Sequence, residues 1–167
     1  SPNMIDYESA RDGFTLEVPA KFNFSRDVID VWAEDPDKLA LLWIDDHGRE
    51  IRKTFRDLAV GSRRVANVLR AGGVDRGDIV IVILPRLIEW WLVHLACLRM
   101  GAIFSPGTPQ LTPKDVEYRA SASGACCLVT DTTTAERLDG STTEPPRFRS
   151  RFALGGERSG WSNFDGL

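Results

Sequence analysis

Ile79-Val-Ile-Val-Ile-Leu84, bounded by Asp78 and Pro85, is the stretch whose reading decides the fold. Six consecutive β-branched or aliphatic residues without polar alternation describe a strand buried on both faces, as in a parallel sheet covered by helices. The next segment, Leu87 to Met100, is apolar almost all round, with only Arg86, Glu89, His94 and Arg99 as polar interruptions in and beside it, and it predicts a helix sunk in the core. Pro85 is placed to open that helix and Gly101 to close it. The apolar run is shorter than the ~18 residues a membrane span needs and carries charge, so a span is excluded. With Ile103-Phe104 beyond Gly101, the unit reads as a buried βαβ.

Working upstream, Thr54-Phe-Arg-Asp57 has capping-box spacing, and Leu58, Ser62, Val65, Ala66 and Leu69 share one helical face up to Gly72-Gly73. These glycines, with Gly77, precede a strand. A phosphate-cradling loop must follow a strand and open a helix, so they read as a helix stop and a turn. Before them, Leu39 to Ile44 and Glu50 to Thr54 flank the turn residues Asp45-Asp46-His47-Gly48, which predicts a hairpin over 39–54. The Asp and His of that turn suit turn geometry better than a metal site. Ser25 is placed to cap a short helix with a stripe of Val28, Ile29, Val31 and Trp32. The alternation Phe14, Leu16, Val18 reads as a short strand or as an arm packed on the body.

Working downstream, three prolines between Ser105 and Pro113 predict an extended, rigid loop, and Thr112-Pro113-Lys114-Asp115 starts a helix that fades by Gly124. Ala125 to Thr130 is a second buried strand, ended by Asp131. Beyond it the signal weakens. Asp139 to Pro146 is rich in Ser, Thr and Pro, Arg147, Arg149 and Arg151 read as a solvated basic cluster, and Phe148 to Leu154 suggests one more strand.

A length of 167 residues suits one domain with a real core, and a net charge of -3 gives no field favouring nucleic acid. Three cysteines, Cys97, Cys126 and Cys127, are an odd count and fit a reducing compartment. No cationic segment followed by an apolar run opens the chain, so the cytoplasm is the expected location. Chemistry is sparse. None of the four lysines, Lys21, Lys38, Lys53 and Lys114, stands beside a Gly-rich turn after a strand, and Ser62, Ser105 and Ser121 lack a nucleophile elbow. His94 reads as a hydrogen-bonded structural histidine, and Cys97 as core packing.

Gly73-Val-Asp-Arg-Gly-Asp-Ile-Val-Ile-Val-Ile-Leu-Pro, Glu89-Trp-Trp with Leu95-Ala-Cys-Leu-Arg-Met-Gly-Ala, Pro106-Gly-Thr-Pro-Gln-Leu-Thr-Pro-Lys-Asp and Cys127-Leu-Val-Thr together resemble the N-terminal part of the acyl-adenylate-forming ligases, closest to the medium-chain acyl-CoA synthetases. Phe22-Asn-Phe-Ser-Arg-Asp-Val-Ile-Asp and Gly160-Trp-Ser-Asn-Phe resemble the same branch. The resemblance implies the N-terminal subdomain of that α/β fold: an arm and short helix over 1–36, then an incomplete α/β subdomain over 37–167, with βαβ units over 55–154. It implies an AMP-forming reaction on a carboxylic acid, of medium chain, with ATP, Mg2+ and coenzyme A as cofactors of the parent enzyme. The family's phosphate loop and C-terminal domain would lie beyond Leu167, so no catalytic residue is transferred. The chain is expected to be inactive and to bind none of these cofactors tightly by itself, with the rest of its own polypeptide as partner. Arg137 falls near an Arg that, in acetyl-type relatives, approaches the 3′-phosphate of coenzyme A; solvated surface is the alternative reading. Trp161 and Phe164, so near the end, are expected to need a partner to bury them, which suggests a reading frame that continues with a Ser/Thr/Gly-rich, Lys-bearing turn. The alternative is an interaction protein or degenerate homologue that ends naturally here.

The buried-helix reading has a direct test. Leu95→Asp places an unpaired charge in the core, and the expected outcome is a loss of several kcal/mol, enough to abolish the cooperative thermal transition seen by circular dichroism.

Overall fold

A computed structural model describes residues 6–141 and 148–165. After a short helix α1 (Tyr7–Asp12) come a π-helical turn (Ser25–Asp30), the hairpin β1 (Leu39–Ile44) and β2 (Glu50–Thr54), and α2 (Phe55–Ala71). Then follow β3 (Ile79–Ile83), α3 (Ile88–Met100), β4 (Ile103–Gly107), α4 (Pro113–Ser123), β5 (Cys127–Asp131), α5 (Thr132–Asp139), β6 (Ser150–Leu154) and the two-residue β7 (Ser162–Asn163). The hairpin is antiparallel. The other five strands form a parallel sheet in the order β4-β3-β5-β6-β7.

Alternation along β3 divides the core. Val80 and Val82 join Val65, Leu69, Val93, Leu95 and Cys97 under α2 and α3, whereas Ile81 and Ile83 join Val116, Ala120 and Ala135 under α4 and α5. Each face of the strand is thus covered by a different helical layer, which is why it carries no polar residue. Both expected capping boxes form: Thr54 with Asp57 and Thr112 with Asp115. Gly101 closes α3 at φ 74°, a conformation that costs a residue without a Cβ little.

Several expectations are corrected. Pro85 does not open α3; the helix starts at Ile88 with Leu87 as its cap, so Pro85 ends the strand instead. The helix is not sunk throughout, since Trp91 is 44% exposed. Ser25 caps nothing. It lies inside the π-helical turn, and its hydroxyl donates to the Leu95 carbonyl at 2.8 Å, while Asn23 takes the capping role, its Oδ1 accepting from the Arg26 amide at 3.2 Å. Phe14, Leu16 and Val18 form neither strand nor packed arm and stand more than 70% exposed. Pro106 belongs to β4 rather than to a loop, because β4 is an edge strand and proline can sit on the unpaired edge.

The C-terminal region differs most. Helix α5 has no counterpart among the sequence expectations, because its apolar face is only Ala135 and Leu138 and its cap, Asp131, doubles as the end of β5. Arg149 and Arg151 are not merely solvated: Arg149, exposed as expected, also pairs with Asp78 at 2.8 Å, and the half-buried Arg151 pairs with Asp139 at 3.2 Å and lies over the Trp161 ring. Arg147 lies outside the described residues. Trp161 and Phe164 need no outside partner: they are 9% and 1% exposed, with Phe164 against Phe152 and the Trp161 indole donating to Asp139 at 2.9 Å.

A polar staple holds the π-helical turn on the helices. The Asp30 carboxylate receives Arg99 at 2.7 and 2.9 Å and Arg63 at 2.9 Å. Arg99 bonds also reach Ser62 and the Ser25 carbonyl. The Arg99 hydrogen bonds, chiefly, hold the Asp30 carboxyl below its ordinary value of 3.8. A lowered carboxyl contributes stability above the unfolded value that is lost as pH falls through the folded one. Asp30→Asn is therefore expected to cost about 2 kcal/mol in urea unfolding near neutral pH, with the gap to the parent closing as pH falls below 3.8.

Candidate functional site

In open parallel sheets ligands bind outside the carboxyl ends of the strands, where the strand order reverses. Here the chain leaves β3 through α3 to β4 on one side, then crosses through α4 to β5 on the other, so the reversal lies between β3 and β5. The Thr130 hydroxyl donates to the Ile83 carbonyl at 2.7 Å and locks the ends of these two strands together. From this edge emerge Leu84 to Leu87, Thr108-Pro109, the Asp131 cap of α5 and the Gly155-Gly156 turn.

The β1–β2 hairpin roofs one end of that edge. Its Trp43 indole donates to the Arg86 carbonyl at 2.6 Å, fixing the turn that follows β3. Between them lies a groove of 460 Å³ lined by Leu42, Ile44, Pro85, Trp90, Trp91 and Pro109. A second groove, of 420 Å³, adjoins it through Leu41 and Trp91 and runs under Phe24, Trp32 and Phe55. The second is almost wholly apolar and the first is mainly so, with the exposed Arg86 as its one charged lining residue, so the edge presents chiefly shape and desolvation.

The titratable groups near these grooves are held out of chemistry. His94 is half-buried and no hydrogen bond reaches its ring among the described residues; it stacks on Phe104 with centroids 4.5 Å apart, and burial lowers its pKa. The expected hydrogen-bonded histidine is thus an aromatic packing element. Burial pushes the thiols of Cys97 and Cys127 up to about 12, which leaves negligible thiolate near neutral pH. Cys126 precedes β5, is half-buried beside Asp78, and is also raised, by desolvation first. His47 sits in the hairpin turn, its amide donating to Asp45 Oδ1 at 2.9 Å. No group of three or more His, Cys, Asp and Glu among the described residues is placed to hold a metal ion.

Arg137, the sequence candidate for a phosphate contact, lies exposed on α5, and its Nη2 donates to the Pro109 carbonyl at 2.6 Å. The contact carries the guanidinium to the loop that leaves β4, and so to the carboxyl edge. The grooves themselves are not legible in the sequence. Their walls come from segments far apart in the chain, and only the run of Trp90, Trp91 and Trp43 hints at an aromatic surface.

Residues 29–158 match the protein family described as AMP-binding enzyme. The chain is 42% identical to the mitochondrial acyl-coenzyme A synthetase ACSM3 of Mus musculus over 169 residues, 96% of this chain and 29% of that protein. It is likewise 42% identical to the mitochondrial acyl-coenzyme A synthetase ACSM4 of Rattus norvegicus, over 100% of this chain and 30% of that protein. Among solved structures, an acyl-CoA synthetase of Brucella canis superposes with a TM-score of 0.79 at 27% identity, over 95% of this chain and 30% of that one. The acetoacetyl-CoA synthetase of Streptomyces lividans, at 22% identity and a TM-score of 0.74, covers 85% of this chain and 24% of that one and bears on the fold alone. The chain therefore spans about three tenths of the length of these relatives.

The thiol environments yield a measurable expectation. In native protein at about pH 8, a colorimetric disulfide reagent should titrate Cys126 slowly and leave Cys97 and Cys127 unreacted, whereas all three react in denaturant.

Proposed function

This chain belongs to the AMP-binding enzyme family, and from that premise we propose that the protein carrying it is an AMP-forming acyl-CoA synthetase. The observation that carries the reading is the 42% identity to ACSM3 across 96% of the chain. In the proposed reaction a carboxylate oxygen attacks the α-phosphorus of ATP and the bond to pyrophosphate breaks, giving an acyl-adenylate. The thiolate of coenzyme A then attacks the acyl carbonyl and AMP leaves. A medium-chain carboxylic acid is the proposed substrate and Mg2+ the proposed metal, both on the resemblance of the sequence to that branch.

Stabilising the pyrophosphate leaving group takes pre-organised donors, and such electrostatic stabilisation usually contributes most of the rate enhancement in a step of this kind. The sequence has no Lys-bearing, Gly-rich loop after a strand. The contribution proposed for these residues is a rigid carboxyl edge with apolar grooves, and the exposed Leu42, Ile44 and Trp91 support its being covered by further polypeptide of the same protein. Arg137 is proposed to meet the 3′-phosphate of coenzyme A with guanidinium donors not used on Pro109. For location, three free thiols support a reducing compartment and the cytoplasm is proposed; the ACSM3 and ACSM4 relatives are described as mitochondrial, and cell fractionation separates the two. No helix among the described residues is long and apolar enough to cross a membrane.

The test is carboxylate-dependent ATP–pyrophosphate exchange by the product of the complete gene, beside the 167 residues alone. Exchange with octanoate above acetate and palmitate is expected from the first and none from the second; a gene product without carboxylate-dependent exchange overturns the reading. In the same protein, Arg137→Ala is expected to raise the KM for coenzyme A about tenfold and to leave the exchange rate unchanged.

A further inference from the structure

Residues 49–64 carry six arginines and lysines against two carboxylates, a local +4 within a chain of net charge -3. Part of that charge is neutralised or tethered in place. Arg52 pairs with Glu50 at 3.4 Å, Arg63 pairs with Asp30 at 2.9 Å, and Arg56 donates to the carbonyls of Ala33 and Glu34 at 3.3 Å each. The side chains of Lys53 and Arg64 meet no carboxylate and no acceptor among the described residues.

Both unpaired cations line one groove of 380 Å³ between the first turns of α2 and the start of α3, with Arg56 beside them. Its apolar lining comes from Val60, Ile88 and Leu92. Asp57 also lines it, its carboxylate accepting from the Thr54 amide at 2.9 Å in the capping box, and against the three cations it leaves the charged lining net positive. This groove shares no residue with the one beneath Trp43 and Pro109. Two like charges held around one concavity repel each other, and an apolar wall weakens the screening between them; an anion between them reverses the sign of that interaction. A lysine ammonium with three rotatable donors and the planar arginine fork suit the several oxygens of a phosphoryl group.

We propose that the groove formed by Lys53, Arg56 and Arg64 is a binding site for a phosphorylated ligand. Lys53 and Arg64 supply the charge, the donors Arg56 has to spare add hydrogen bonds, and the apolar wall receives the body that bears the phosphate. The same chemistry is offered by a soluble phosphate compound and by a phospholipid headgroup, and the experiment separates them.

In the first arm, inorganic pyrophosphate is titrated into the full 167-residue chain at constant ionic strength while backbone amide resonances are followed by NMR. Saturable shifts confined to 53–64 and the start of α3 are expected. Lys53→Glu with Arg64→Glu should weaken binding about tenfold or more, while Lys114→Glu with Arg119→Glu, the same charge change on exposed sites of α4, should not. Arg64→Gln alone serves if the double variant loses its thermal transition. The second arm replaces pyrophosphate with phosphatidylcholine vesicles containing phosphatidylglycerol. Saturation in the first arm assigns a soluble phosphate. Cosedimentation that only the Lys53 and Arg64 changes abolish, without saturation by pyrophosphate, assigns a headgroup. No saturable response in either arm, or equal weakening by both double variants, overturns the proposal.

Discussion

The double burial of β3 is the constraint on which the rest of this structure depends. A strand with no exposed face cannot be stabilised by one helical layer, because every second side chain would remain in water. Val80 and Val82 require α2 and α3, and Ile81 and Ile83 require α4 and α5. Covering both faces in turn forces the chain to leave β3 on one side and return on the other. That path creates the strand reversal between β3 and β5 and, with it, the carboxyl-edge crevice where this architecture binds ligands.

Polar contacts then fix what apolar packing leaves free to slide. Arg99 reaches from α3 to Asp30 and Ser62, and Ser25 reaches back to the Leu95 carbonyl, so the π-helical turn, α2 and α3 share one network. Hydrogen-bond geometry is directional where hydrophobic contact is not, and this explains why a segment with Val31 and Trp32 about half exposed still keeps a defined position. At the other end of the sheet, Asp139 performs the same service, receiving Arg151, Arg158 and the Trp161 indole.

The titratable groups packed near the grooves are chemically quiet. Thiols raised to about 12 and a desolvated, stacked histidine are the marks of groups used for packing, and the grooves beside the hairpin are mainly apolar. Charge is concentrated elsewhere, on the outer side of α2, where the hairpin and the first helical turns bring Lys53, Arg56 and Arg64 round one groove.

Legible in the sequence were the elements whose causes are local: the β-branched run of β3, the capping boxes of Thr54 and Thr112, the glycine stop at Gly101, the Asp45-Asp46-His47-Gly48 turn of the hairpin, and through ordered motifs the family. Local signals depend on neighbours a few positions away, so a single chain displays them. Features set by distant partners emerged only on folding. Helix α5 owes its formation to the Asp131 cap and to burial of Ala135 rather than to any periodic stripe. Ser25 became a link to α3 instead of a cap, Arg149 and Arg151 found carboxylates, and Trp161 and Phe164 found cover within the chain itself. In each case the competing energies differ by one hydrogen bond or one buried ring, and which of them wins depends on residues that sequence spacing does not bring together.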